Sequence, residues 1–206
     1  MKKCFVIILA VVLLLAGCGK VNSKEAALTA YGSFLSGDRS LLEDAKSWWI
    51  PDFQEEGLVY EYTCLDLDGD EVVELLVQMA GDPCGYNGVF HFEGDKLVCW
   101  NSDAVEMSCR DYPLSDGTMV RQYDFNGTRS YTLFRYQTNG KMEVISLLFA
   151  REELIPETSL EPCPYYEIGG TEVGKSTFEE QLAKLVTDRI LEHPAWTEIE
   201  TAGYQN

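Results

Sequence analysis

The sequence predicts an α+β fold, an antiparallel β-meander sheet flanked by an N-terminal and a C-terminal helix. Three observations predict it. Apolar side chains recur at helical spacing over Lys24–Leu35. From Leu58 to Ala150, short runs rich in Val, Tyr, Phe and Thr alternate with turn residues. After Ser176 a second helical apolar stripe follows.

In the first helix, Ala27, Leu28, Tyr31, Phe34 and Leu35 fall on one side. Ser23 can cap its start and Gly37 can end it. Asp38–Trp49 is expected to hold a second short helix, ended by Pro51. The neighbouring Trp48 and Trp49 either stack on a sugar or plug the edge of the core. The strand region is punctuated by Asp68-Gly69-Asp70, Gly94-Asp95, Asp116-Gly117, Asn126-Gly127 and Asn139-Gly140. Asp-Gly and Asn-Gly favour tight hairpins because both positions accept a positive φ, so consecutive strands should pair antiparallel. Tyr165–Ile168 and a Gly169-Gly170 turn lead to the last helix. Ser176-Thr177-Phe178-Glu179 fits a capping box, Phe178, Leu182, Leu185, Val186 and Ile190 form the stripe, and Pro194 stops it.

Upstream of these elements the chain carries an address. Lys2 and Lys3 precede an apolar run, Phe5–Ala16, which is about half of the ~20 residues that a membrane-spanning helix needs. Leu15-Ala16-Gly17-Cys18 then reads as a lipobox. The expected organisation is a signal peptide over residues 1–17, a tether over 18–23 and one α+β domain over 24–206. Cys18 is the expected lipidation site. Two acyl chains on that thiol supply the two signals that stable anchoring needs, making the membrane a partner through lipid, outside the cytoplasm.

Composition narrows the function classes. The chain is 46% hydrophobic and 12% aromatic, enough for a folded core. Its 16 basic and 34 acidic residues give a net charge of −18, and loss of Lys2 and Lys3 with the leader makes the mature chain more negative still. Such a surface repels nucleic acid and attracts divalent cations and basic partners. With Cys4 and Cys18 set aside, Cys64, Cys84, Cys99, Cys109 and Cys163 remain. This odd set leaves disulfide formation open, and it contains no CxxC spacing for a zinc ribbon.

The strongest chemical motif is Asp66-Leu67-Asp68-Gly69-Asp70-Glu71-Val72-Val73-Glu74. Calcium takes six to eight oxygen ligands, and carboxylates at alternate positions of a tight loop converge on one point. The expected ligands are Asp66, Asp68, Asp70, the Val72 carbonyl and Glu74. An EF-hand is excluded, because the position that would carry its bidentate Glu is Val77. These nine residues instead resemble the calcium hairpins of FG-GAP repeats in integrin α-chains, of the form D-x-D-x-D-G-x-x-D. Glu71 departs from that form, standing where the hairpin has Gly and where the backbone takes a conformation that Gly reaches freely.

The wider chain resembles surface lipoproteins of Gram-positive gut bacteria. The matching pieces are the lipobox, Ala30-Tyr31 with Phe34-Leu35, Leu65–Asp70 with Glu74-Leu75, and Tyr165–Gly170 leading into the Ser176 helix. The resemblance implies a shared fold and a surface location, and it carries no activity.

Gly169–Ser176 also matches the P-loop pattern GxxxxGK[ST]. Only one helix and a tail follow it, so the parallel sheet of a nucleotide-binding fold has no place, and no nucleotide is expected. The only histidines, His91 and His193, belong to no HExxH, GxSxG or Cys-His signature, and His91 reads as a sheet residue within Val89–Phe92. Asn126-Gly127-Thr128 is a formal glycosylation sequon that a hairpin turn explains. No catalytic residue is assigned. The expected function is a lipid-anchored, non-enzymatic binding or structural domain stabilised by calcium. The alternatives are a glycan hydrolase using paired carboxylates and a cell-envelope assembly factor.

Overall fold

The computed structural model describes residues 23–43, 46–81, 85–104, 108–153, 162–190 and 196–200. The expected signal peptide, Cys18, Cys84, His193 and Pro194 lie outside them.

The fold is α+β, with antiparallel strands between two helices. Helix α1 is formed over residues 23–35 and buries Ala27, Ala30, Tyr31, Phe34 and Leu35. Leu28, expected on that face, is exposed, and Ala30 takes its place. Residue 23 is already helical, so Ser23 does not stand outside the helix as a cap. Gly37, at φ 101°, ends the helix as expected. Its N–H bonds the Phe34 carbonyl and the Asp38 N–H bonds that of Ser33, the paired closure of a Schellman motif. The second helix shrinks to one 3-10 turn, Arg39–Leu41. The Asp38 carboxylate accepts the Ser40 N–H there, and Leu42 leaves in an extended conformation to bridge Leu97.

Among the described residues eleven strands follow, β1 (Tyr60–Leu65), β2 (Glu74–Met79), β3 (Asn87–Glu93), β4 (Lys96–Asp103), β5 (Cys109–Pro113), β6 (Met119–Phe125), β7 (Thr128–Tyr136), β8 (Met142–Arg151), β9 (Tyr165–Ile168), β10 (Thr171–Glu172) and β11 (Thr197–Glu198). All five turn signals fall between consecutive strands. Asn126 and Gly127 take φ of 50° and 71°, the pair of positive angles that a two-residue hairpin requires. The meander is divided into two sheets, β11-β1-β2-β3-β4 and β10-β9-β8-β7-β6-β5. Dividing it lets each sheet cover part of the other, where one open sheet of this many strands would have to curl or flatten.

Period-two alternation sorts the core into three clusters. Leu75, Val77 and Phe90 face α1. Tyr131, Leu133, Leu148 and Ala150 face helix α2 (Lys175–Leu185), which buries Phe178 and Leu182. Leu67, Leu76, Val89, Met119, Phe134 and Tyr136 meet between the sheets. Helix α2 begins one residue before Ser176. Its N-cap is Gly174, with no side-chain cap bond, so the capping box is not made. It stops at Leu185, where Val186 leaves helical geometry, and a 3-10 turn leaves Ile190 largely exposed. Cys64, Cys99 and Cys163 are free thiols.

Two turns of the second sheet press on the first. A Cβ at Gly117, whose φ is 79°, would collide with the Asp66 carbonyl, and one at Gly140 would lie 2.5 Å from the Trp100 ring. Gly117→Ala should therefore lower unfolding free energy by about 2 kcal/mol or more, from the left-handed backbone and the clash together. Gly94→Ala, at φ 67° with open space around it, should lose about 1 kcal/mol. Urea denaturation of both variants measures the difference, and equal losses would mean that the turn does not press on Asp66.

Candidate metal centre

The loop over residues 66–73 joins β1 to β2, and its carboxylates organise its backbone. Asp66 Oδ1 accepts the Gly69 N–H at 2.7 Å and Asp66 Oδ2 accepts the Glu71 N–H at 3.0 Å. Asp68 Oδ1 accepts the Asp70 N–H at 3.1 Å, and Asp70 Oδ1 accepts the Val72 N–H at 2.7 Å. The chain thus winds around its own side chains. Glu71 sits at φ 74°, the conformation expected where a glycine would be free of strain. A non-glycine residue there costs about 1 kcal/mol.

Leu67 turns inward from this loop into the cluster between the sheets and is 2% exposed. Its N–H donates to Glu74 Oε2 at 2.7 Å. Glu74 is fully buried, and its Oε1 lies 2.9 Å from Nδ1 of His91 on β3. The imidazole stacks on Trp100 of β4, with ring centres 4.6 Å apart and planes 13° from parallel. From the opposite side, the Tyr31 hydroxyl of α1 donates to the Val73 carbonyl at 2.8 Å. Both sheets and α1 therefore hold the loop.

Burial dominates the electrostatics. It raises the Glu74 carboxyl above the ordinary range, against the opposing hydrogen bonds from His91 and Leu67. It raises Asp68 too, partly offset by the Asp70 N–H, with the charge of Asp70 adding to the rise. At His91 burial pulls the imidazole down, but the hydrogen bond and charge of Glu74, with Asp68 and Asp70 behind, outweigh it and leave the value raised. The carboxylates of this pocket favour a positive partner. Asp68 Oδ2 is buried and has no hydrogen-bond partner.

Two donor groups follow from this geometry. Asp66, Asp68 and Asp70 bring one carboxylate oxygen each to within 4.8 Å of one another. Asp68, Glu74 and His91 do the same with their own donor atoms. Either acidic cluster could hold a metal ion. Of the expected ligands, Asp66, Asp68 and Asp70 come together, whereas Glu74 groups with Asp68 and His91. Val72 closes the loop through its N–H. Cys18 lies outside the described residues. His91 is the member that sequence reasoning passed over as a strand residue.

Elsewhere a polar cleft of about 250 Å³ opens between the sheets, lined by Asn87, Asn101, Asp103, Arg110, Asp111 and Arg121 among others. Both oxygens of Asp111 are engaged by Arg121, at 2.8 and 2.7 Å. That carboxylate is committed to a bidentate pair. In the stretch resembling a P-loop, Gly169 and Gly170 form the turn between β9 and β10, and Lys175 Nζ bonds Glu152 at 2.8 Å. Trp48 and Trp49 are exposed, Trp49 meeting Tyr86 edge-on at 5.6 Å. No helix among the described residues is long and apolar enough to cross a membrane. No protein-family model matches the chain, and neither a curated protein nor a solved structure does so.

Proposed function

We propose that this chain is a lipid-anchored, extracytoplasmic binding or structural domain without enzymatic activity, stabilised by calcium at the β1–β2 hairpin. The observation that carries the calcium reading is the convergence of the Asp66, Asp68 and Asp70 carboxylates on a loop in which the Gly69, Asp70, Glu71 and Val72 N–H groups already have acceptors, with Asp68 Oδ2 buried and unpaired. Calcium suits an all-oxygen set, and water can fill the remaining positions. The loop is wedged between the sheets, so an ion there acts on the whole fold. The anchoring reading rests on the lipobox at Leu15–Cys18. Against the hydrolase alternative stands the commitment of Asp111 to Arg121 in the polar cleft. A binding role is supported by β8, which exposes Met142, Val144, Ile145 and Leu147.

Calcium should raise the melting temperature of metal-depleted protein, by about 2.7 kcal/mol of added stability at a hundredfold excess over its dissociation constant. Magnesium should do less, since it demands tight octahedral geometry. Asp70→Asn, which keeps an oxygen for the Val72 N–H, should blunt the response. Calorimetry measures all three, and an identical melting curve with calcium or chelator would defeat the calcium reading.

Cells fed a labelled fatty acid should label this protein, and Cys18→Ala should abolish both the label and the partition into detergent. A Cys18→Ala protein that stays lipid-labelled would defeat the anchoring reading.

A further inference from the structure

We infer that Asp68, Glu74 and His91 form a second metal site, selective for a borderline divalent cation of the zinc class and sharing Asp68 with the calcium loop. Three features carry it. First, the donor set contains an imidazole. Calcium takes oxygen ligands, while imidazole with carboxylates suits zinc and its neighbours. Second, each carboxylate is secured by the backbone through one oxygen only. Glu74 Oε2 accepts the Leu67 N–H, leaving Oε1 toward His91 Nδ1. Asp68 Oδ1 accepts the Asp70 N–H, leaving Oδ2 buried and without a partner. A cation bound between Glu74 and His91 would give that oxygen the partner it lacks. Third, the site is enclosed and its imidazole is held in one plane. His91 is 8% exposed and Glu74 0%, and the imidazole plane is fixed against Trp100, itself pressed by the Gly140 turn.

The inference shares one residue with the calcium reading but does not depend on it, and a crossed pair of variants separates the two. The test uses the full chain in detergent, stripped of metal and titrated with Zn²⁺, with Co²⁺ as the visible-absorption probe. One Zn²⁺ should bind per chain and raise the melting temperature. Co²⁺ should give ligand-field bands of a nitrogen–oxygen site, without the intense thiolate charge-transfer band that capture by a cysteine would produce. His91→Gln, whose amide can still donate to Glu74, should weaken zinc at least tenfold and leave the calcium response in place. Asp70→Asn should weaken calcium and leave zinc within about twofold. Asp68→Asn should weaken both, and leaves the His91–Glu74 hydrogen bond with both its partners. Unchanged zinc affinity in both His91→Gln and Asp68→Asn overturns the inference, as does a thiolate spectrum or the absence of zinc binding. Loss of the calcium response with zinc binding intact would overturn the calcium reading alone.

Discussion

The fold turns on one buried carboxylate. Glu74 is fully enclosed, and a charge in that position is tolerable only if its oxygens are met. One is met by the Leu67 N–H and the other by His91. The first bond turns the acidic loop so that Leu67 plugs the space between the sheets, and the second ties β2 to β3 and, through the stacked Trp100, to β4. Removing Glu74 would leave a buried donor and a buried imidazole unpaired, a penalty of about 1–3 kcal/mol for each group.

Most of the architecture was legible because it depends on local chemistry. The five Gly-containing turns marked the hairpins because a positive φ is needed there. Helix α1 and the core of α2 followed from their apolar periodicity. What escaped is non-local. The division into two sheets depends on which faces cover each other, and alternation marks a buried face without naming its partner. The expected capping box failed because the N-cap of α2 falls on Gly174, two residues before Ser176, and the expected second helix failed because Leu42 is drawn into a bridge with Leu97.

The candidate site was half legible. Asp66, Asp68 and Asp70 are close in sequence, and their convergence follows from loop geometry. His91 was not legible, although a polar residue set among apolar strand residues ought to need a polar partner. The β2–β3 register sets Leu75 opposite Phe90, which leads on to Glu74 and His91. That register depends on a connection whose length no turn motif fixes. A site built across strands is visible only once the pairing is known.

The central claim is that the Glu74 carboxylate holds the Leu67 amide and so fixes the loop between the sheets. Amide hydrogen exchange, read by NMR on metal-depleted protein, tests it most directly. The account predicts that the Leu67 amide exchanges as slowly as core amides such as Leu133, and that Glu74→Ala speeds it about tenfold to a hundredfold while Glu74→Gln does so far less. A Leu67 amide that exchanges as fast as the exposed turn at Gly94 in the unmodified protein, with Leu133 still protected, would contradict it.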